Sequence, residues 1–224
     1  MKRGFTLKNY IFDFDGTLAD SKQCSVMATQ AAFKECGLES PSAKIIEHYM
    51  GIPIEVSFKE MAEQPFTEES FELLLQNFRE HYKVLENDSL IAFPYIPEML
   101  EQLQQANKQI FVVSSKKSDV LLRNLKTLQI DTYFKDIIGS DKVTHYKPHP
   151  AGILKLVDLY QLEKAETIMI GDAIFDLQMA KAAKVSSCGV TWGSHGRDKL
   201  LEEQPTFIFD DVQQLLSIGE ESLK

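Results

Sequence analysis

Residues 11–17 read IFDFDGT, an apolar run that ends in two aspartates one residue apart, Asp13 and Asp15. Side chains alternate along a strand, so the two carboxylates leave from the same side. Two like charges that close repel, and burying either is costly. The pattern asks for a cation nearby. Given one, either aspartate is a candidate nucleophile, since a carboxylate can form an aspartyl-phosphate.

A second acidic pair, Asp172 and Asp176 in GDAIFD, is spaced i, i+4 at a strand-to-helix junction, and both can reach one site if a helix starts there. A set of oxygen ligands drawn from Asp13, Asp15, Asp172 and Asp176, with no His or Cys, favours a hard cation such as Mg²⁺. Gly16 lets the chain turn sharply after the first strand, and the exposed N–H groups with the Thr17 hydroxyl can cradle a phosphate. Ser114 and Ser115 end the apolar run QIFVVSS and offer hydroxyls, and Lys147 in HYKPHP brings an ammonium on a proline-flanked loop. A nucleophile, a metal and donors for the equatorial oxygens are what phosphoryl transfer demands.

The elements that must position these residues follow from the rhythm of the chain. After a strand at about 8–14, residues 19–88 carry no strand signal and read as helices: SKQCSVMATQAAFKECG, Ser42–Tyr49, Pro53–Met61 and a long stretch from Thr67, whose cap and following acids suit the helix dipole. From about Pro94, helices alternate with short apolar strands, QIFVVSS, DIIGS, TIMIGD, SSCGVTW and FIFD, ending in a last helix. That alternation predicts an α/β fold, a Rossmann-like parallel sheet covered by helices on both faces, with a helical segment inserted after the first strand. In such sheets ligands sit at the carboxyl ends of the strands, where this sequence places Asp13, Ser114 and Asp172. The expected organisation is a core of residues 1–18 and 89–224 and a helical cap of residues 19–88.

Composition sets the boundaries. The 224 residues are 44% hydrophobic and 25% charged, ordinary for a soluble protein with one good-sized core and a smaller insertion. The net charge of −9 argues against nucleic acid as the main partner but leaves room for a small phosphate ester, because a metal supplies local positive charge. Cys24, Cys36 and Cys188 are odd in number and lack metal spacing, which reads as reduced thiols in a cytoplasmic protein. No apolar run reaches a signal peptide or membrane span.

DFDGT, VVSS, KPHP and GDAIFD, in this order, resemble the four motifs of the haloacid dehalogenase superfamily. The resemblance spans nearly the whole chain, cap included, and is nearest to phosphoglycolate phosphatases and related small-phosphate hydrolases through DGTLADS, GIPIEVSF and KPHP. It implies a three-layer α/β/α core and Mg²⁺-dependent hydrolysis of a small phosphorylated metabolite. It makes Asp13 the nucleophile and Asp15 the general acid and base, with its backbone carbonyl on the metal. It puts Ser114 and Lys147 on the phosphate, the lysine also near the nucleophile. Asp172 becomes a metal ligand, with Asp176 a ligand or just behind it. Dehalogenases, phosphonatases and ion pumps lack the second aspartate, which is present here. A β-phosphoglucomutase-like phosphomutase is the rival, lowered by the lack of a histidine between Asp15 and His48. A phospho-aspartate signalling module without turnover is a second, lowered by the insertion.

This chain departs from the family pattern at Ala173, where a serine or threonine is common, and at Tyr95 and in AKAAKVSS, where a glycine is customary. Lys22 and Gln23 are expected over the mouth of the site. Arg79 and Lys83 read as a solvated helix face, His145 and His149 as loop polarity, Trp192 and Gly193 as core and turn residues, and the GEESLK tail as solvated charge.

Overall fold

The apolar residues before Asp13 form β1 (Asn9–Phe12), all of them buried. In the computed structural model, which describes residues 7–62 and 64–218, β1 is followed by a two-residue strand, β2 (Ala19–Asp20), and by four helices, α1 (Lys22–Glu35), α2 (Ala43–His48), α3 (Ile54–Met61) and α4 (Glu68–Ser89). The chain returns through β3 (Ile91–Ala92) to α5 (Ile96–Gln105), β4 (Gln109–Val113), α6 (Ser118–Thr127), β5 (Asp136–Ile138), α7 (Ala151–Tyr160), β6 (Thr167–Gly171), α8 (Ile174–Ala183), β7 (Ser186–Val190), α9 (Arg197–Glu202) and β8 (Phe207–Phe209). The expected last helix is a 3₁₀ helix, Val212–Ser217. The GEESLK tail and residues 1–6 lie outside the described residues.

The sheet runs β5-β4-β1-β6-β7-β8, and every pairing in it is parallel. Continuous apolar strands fit because helices cover both faces. One face packs Phe12, Val112 and Ile170 against Met99, Leu100 and Leu121 of α5 and α6. The other packs Ile11, Phe111 and Met169 against Ile153, Leu156 and Met179 of α7 and α8. Strand order reverses around β1, whose Phe12 is level with Val112 of β4 on one side and Ile170 of β6 on the other. The residues that follow these three strands therefore emerge side by side.

Helices α1, α3 and α4 share a small core of their own. Phe58 meets Phe33 edge-on at 5.4 Å and Phe78 at 5.1 Å between ring centres, a favoured aromatic geometry. A capping box opens α4: Thr67 Oγ1 accepts from the Ser70 N–H at 3.2 Å and Ser70 Oγ from the Thr67 N–H at 3.0 Å. The two chain passages into and out of this segment are paired antiparallel, Ala19 with Ala92 and Asp20 with Ile91. Near its end α4 is fastened to α6. Buried Glu86 accepts from Arg123 Nη2 at 2.9 Å and from Asn124 Nδ2 at 2.8 Å. Among the described residues, no helix is long and apolar enough to cross a membrane.

Candidate active site

Asp13 follows β1 directly, and its N–H donates to the Ile170 carbonyl of β6 at 2.9 Å, which puts it beside Asp172 at the end of that strand. Asp176 lies in the first turn of α8, where its Oδ2 accepts from the Ala173 N–H at 3.1 Å. Carboxylate oxygens of Asp13, Asp172 and Asp176 all lie within 4.8 Å of one another, and all three residues are buried. Gly16 approaches them from the first loop. Its φ of +74° suits glycine, and a Cβ there would sit 2.2 Å from Asp172 Oδ2.

Lys147 stands among these acids, with Nζ 2.6 Å from Asp13 Oδ1 and 2.7 Å from Asp176 Oδ1. Burial acts against its charge, but Asp13 and Asp176 outweigh it and hold the ammonium charged. One cation does not balance three carboxylates. Burial, opposed by Lys147 and reinforced by Asp176, raises the Asp13 carboxyl to about 7. Burial and then Asp13 raise Asp172 to about 6, and burial also raises Asp176. Three buried carboxylates short of positive charge, with no nitrogen or sulfur donor among them, can hold a hard metal ion.

The Asp15 carboxylate points elsewhere. Its Oδ1 accepts from the Ser21 hydroxyl and lies 3.0 Å from Lys116 Nζ. The Asp15 carboxylate is not part of the group formed by Asp13, Asp172 and Asp176. Lys116 was missed in the sequence. The available signal was the repulsion between Asp13 and Asp15, which needs a cation for each, and a lysine follows the strand-end serines directly.

Two hydroxyls expected on phosphate have other partners. Thr17 is fully buried, and its Oγ1 donates to Asp172 Oδ1 at 3.1 Å. Ser115 Oγ donates to the Gly51 carbonyl at 2.7 Å, joining β4 to the helical segment. Ser114 Oγ accepts from the Lys116 N–H at 3.2 Å, which leaves its own O–H to donate. Trp192 and Gly193, read as core and turn, belong to a loop that wraps Asp172. Trp192 Nε1 donates to the Thr17 carbonyl at 3.0 Å, and the Ser194 N–H donates to Asp172 Oδ2 at 2.6 Å. His195 completes the loop, its Nδ1 accepting from the Ile174 N–H at 3.1 Å at the start of α8.

A cleft of about 140 Å³ lies between the strand ends and the helical segment. Asp13, Asp15, Ser114 and Lys116 line its floor, and Ile46, Ile52, Phe58 and Met61 its far wall. Ser25 and Thr29 of α1 reach it, whereas Lys22 and Gln23 are not among its lining residues; Lys22 is 3.7 Å from Glu47. Arg79 lines the cleft, paired with Glu55 at 3.2 Å, rather than standing on a solvated face. The rings of His145 and His149 lie 4.6 Å apart, tilted at 30°, on the exposed loop around Lys147.

Comparison with known proteins places this arrangement. The family model for haloacid dehalogenase-like hydrolases matches residues 10–190. A curated relative, the pyrophosphatase PpaX of Oceanobacillus iheyensis, is 28% identical over 95% of this chain and 97% of its own length. Among solved structures, a haloacid dehalogenase-like hydrolase of Streptococcus pneumoniae superposes with a TM-score of 0.82 at 30% identity, covering 95% of this chain and 98% of the other. A predicted phosphoglycolate phosphatase of Haemophilus somnus superposes with a TM-score of 0.88 at 25% identity, covering 95% and 98%.

Proposed function

The chain belongs to the haloacid dehalogenase-like hydrolase family, and on that premise we propose that it is a Mg²⁺-dependent phosphatase that cleaves a small phosphomonoester through an aspartyl-phosphate on Asp13. The observation that carries this reading is the setting of Asp13. Its carboxylate is grouped with those of Asp172 and Asp176, 2.6 Å from Lys147, and lines the same cleft as Asp15 and Ser114.

Asp13, Asp172 and the Asp15 backbone carbonyl would hold the Mg²⁺. Asp176, whose oxygens already meet Lys147 and the Ala173 N–H, would brace them from behind. When bound, the ion supplies the positive charge that offsets repulsion between the phosphate and the carboxylates.

In the first half-reaction an Asp13 oxygen attacks phosphorus. The bond from phosphorus to the leaving oxygen breaks, and that oxygen takes a proton from the Asp15 carboxyl. In the second, water attacks phosphorus, gives a proton to Asp15, and displaces the Asp13 carboxylate to release inorganic phosphate. Lys147 and the Ser114 hydroxyl donate to the phosphoryl oxygens throughout.

Substrate size follows from the cleft. Its volume of about 140 Å³ is close to the roughly 150 Å³ that accepts benzene in an engineered cavity. Residues 19–88 act in this reading as a cap over a small phosphorylated metabolite, not over a nucleic acid or a membrane lipid. The free thiols of Cys24, Cys36 and Cys188 support a cytoplasmic setting. Arg79 and Lys117 share Glu55 as an ionic partner, and the rest of the far wall is largely apolar, which favours an organic phosphate over a second phosphoryl group.

Phosphate release from a panel of phosphorylated metabolites, p-nitrophenyl phosphate and pyrophosphate, with Mg²⁺ and with chelator, tests the proposal. Multiple turnovers of small monoesters that stop on chelation are expected. No turnover of any panel member would overturn it. A clear preference for pyrophosphate would overturn the monoester assignment alone.

A further inference from the structure

Asp15 makes both of its side-chain contacts through one oxygen. Ser21 Oγ donates to Oδ1, and Lys116 Nζ lies 3.0 Å from the same atom. Among the described residues no protein donor meets Oδ2, and Asp15 lines the cleft with Asp13. A proton on Oδ1 would face two donors, whereas Oδ2 can take one and pass it on. The lysine is itself fixed. Its Nζ donates to Tyr82 Oη at 2.8 Å and lies 4.3 Å from the centre of that ring. Its side chain is largely buried. Tyr82 belongs to α4, so one lysine ties the helical segment to a carboxylate at the strand ends.

We infer that Lys116, held by Tyr82 and acting with Ser21, is a positioning residue that turns the Asp15 carboxylate so that Oδ2 carries the proton to and from the substrate. This rests on the reading of Asp15 as the general acid and base. In the step concerned, the bond between phosphorus and the leaving oxygen breaks, the proton on Oδ2 moves to that oxygen, and Asp15 is left as a carboxylate hydrogen-bonded through Oδ1. The geometry has a consequence that packing alone does not. A leaving group that is stable as an anion needs no proton and is indifferent to the orientation of Asp15. An alkoxide leaving group depends on it.

The test compares kcat/KM for p-nitrophenyl phosphate with kcat/KM for small alkyl phosphates, because this ratio covers steps only through departure of the leaving group. General acids contribute about 10²–10⁴-fold. K116M is therefore expected to lose at least about tenfold more activity on alkyl phosphates than on the aryl ester. Y82F, which removes one hydroxyl and keeps the ring, is expected to show the same bias at smaller size, and K116R to restore part of it. An equal loss on both substrate types, or no loss, in K116M and Y82F would overturn the inference. Absence of turnover by the unmodified enzyme on all of these esters would instead remove the phosphatase reading beneath it.

Discussion

Gly193 packs directly on Asp172: a Cβ at position 193 would lie 2.3 Å from both Cβ and Oδ2 of the aspartate and 2.3 Å from the Gly16 carbonyl. The constraint is space around a carboxylate, and two backbone segments impose it from opposite ends of the chain. G193A must push Asp172 or the first loop aside. A drop in kcat/KM of at least about tenfold is expected, with a stability loss of about 1–3 kcal/mol from overpacking. Steady-state kinetics beside thermal unfolding check it, and unchanged kinetics would contradict the packing argument.

Thr17 offers a sharper division between two roles. Its hydroxyl donates to Asp172 Oδ1 from a fully buried position, the setting of a support for Asp172. T17V keeps the shape and removes the bond. Supports of this kind typically contribute about 10–100-fold to metal affinity, so the Mg²⁺ concentration for half-maximal activity should rise while inhibition by inorganic phosphate stays the same. The reverse pattern would return Thr17 to the phosphate.

The acidic cluster gives a pH signature in the absence of metal. Burial raises Asp13 to about 7 and Asp172 to about 6. Above the ordinary carboxylate pKa near 4, the folded protein thus keeps protons that the unfolded chain has released. Stability from these groups is full below about pH 4 and is lost as pH rises through about 6–7. Asparagine at position 13 cannot ionise. In chelator, D13N is expected to match the parent near pH 4 and to exceed it near pH 8. Each kcal/mol of the gap reads as about 2–4 °C in a chain of this size. Mg²⁺ should narrow the gap near pH 8 by stabilising the parent. A gap that shrinks as pH rises in chelator would contradict the account.

Two non-glycine residues carry a conformational cost. Tyr95 and Lys184 adopt φ of 66° and 61°, a left-handed conformation that favours glycine. Left-handed backbone costs a side chain about 1–2 kcal/mol, and glycine returns about 0.4–1 kcal/mol of that through the entropy of the unfolded chain. Both residues are exposed, so little packing is lost. Y95G and K184G should each gain about 0.5–1 kcal/mol, a rise of about 1–4 °C in Tm, with kcat/KM unchanged. Differential scanning calorimetry of each variant checks this.

These cases show where the sequence was readable. β1, β4 and β6 announced themselves as apolar runs, and Asp13, Ser114 and Asp172 sit at their ends because a parallel sheet brings consecutive carboxyl ends to one edge. What escaped were pairings that no local period encodes. Trp192 reaches Thr17 across 175 positions and Ser115 reaches Gly51 across 64, so the hydroxyls of Thr17 and Ser115 could be listed as donors but not matched to acceptors. β2 and β3, two residues each, are too short for a pattern. Lys116 was hidden by its ordinary appearance in a lysine pair, and only the geometry of Asp15 singles it out.

In the proposed reaction a carboxylate oxygen of Asp13 takes the phosphoryl group. Acid quench of the enzyme during turnover of a small phosphomonoester with Mg²⁺, followed by peptide mass spectrometry, reads this directly. The peptide holding Asp13 should gain the mass of one HPO₃ group, lose it on treatment with hydroxylamine, and never gain it in D13N. Turnover with the phosphoryl group on another residue, or undiminished turnover by D13N, would contradict it.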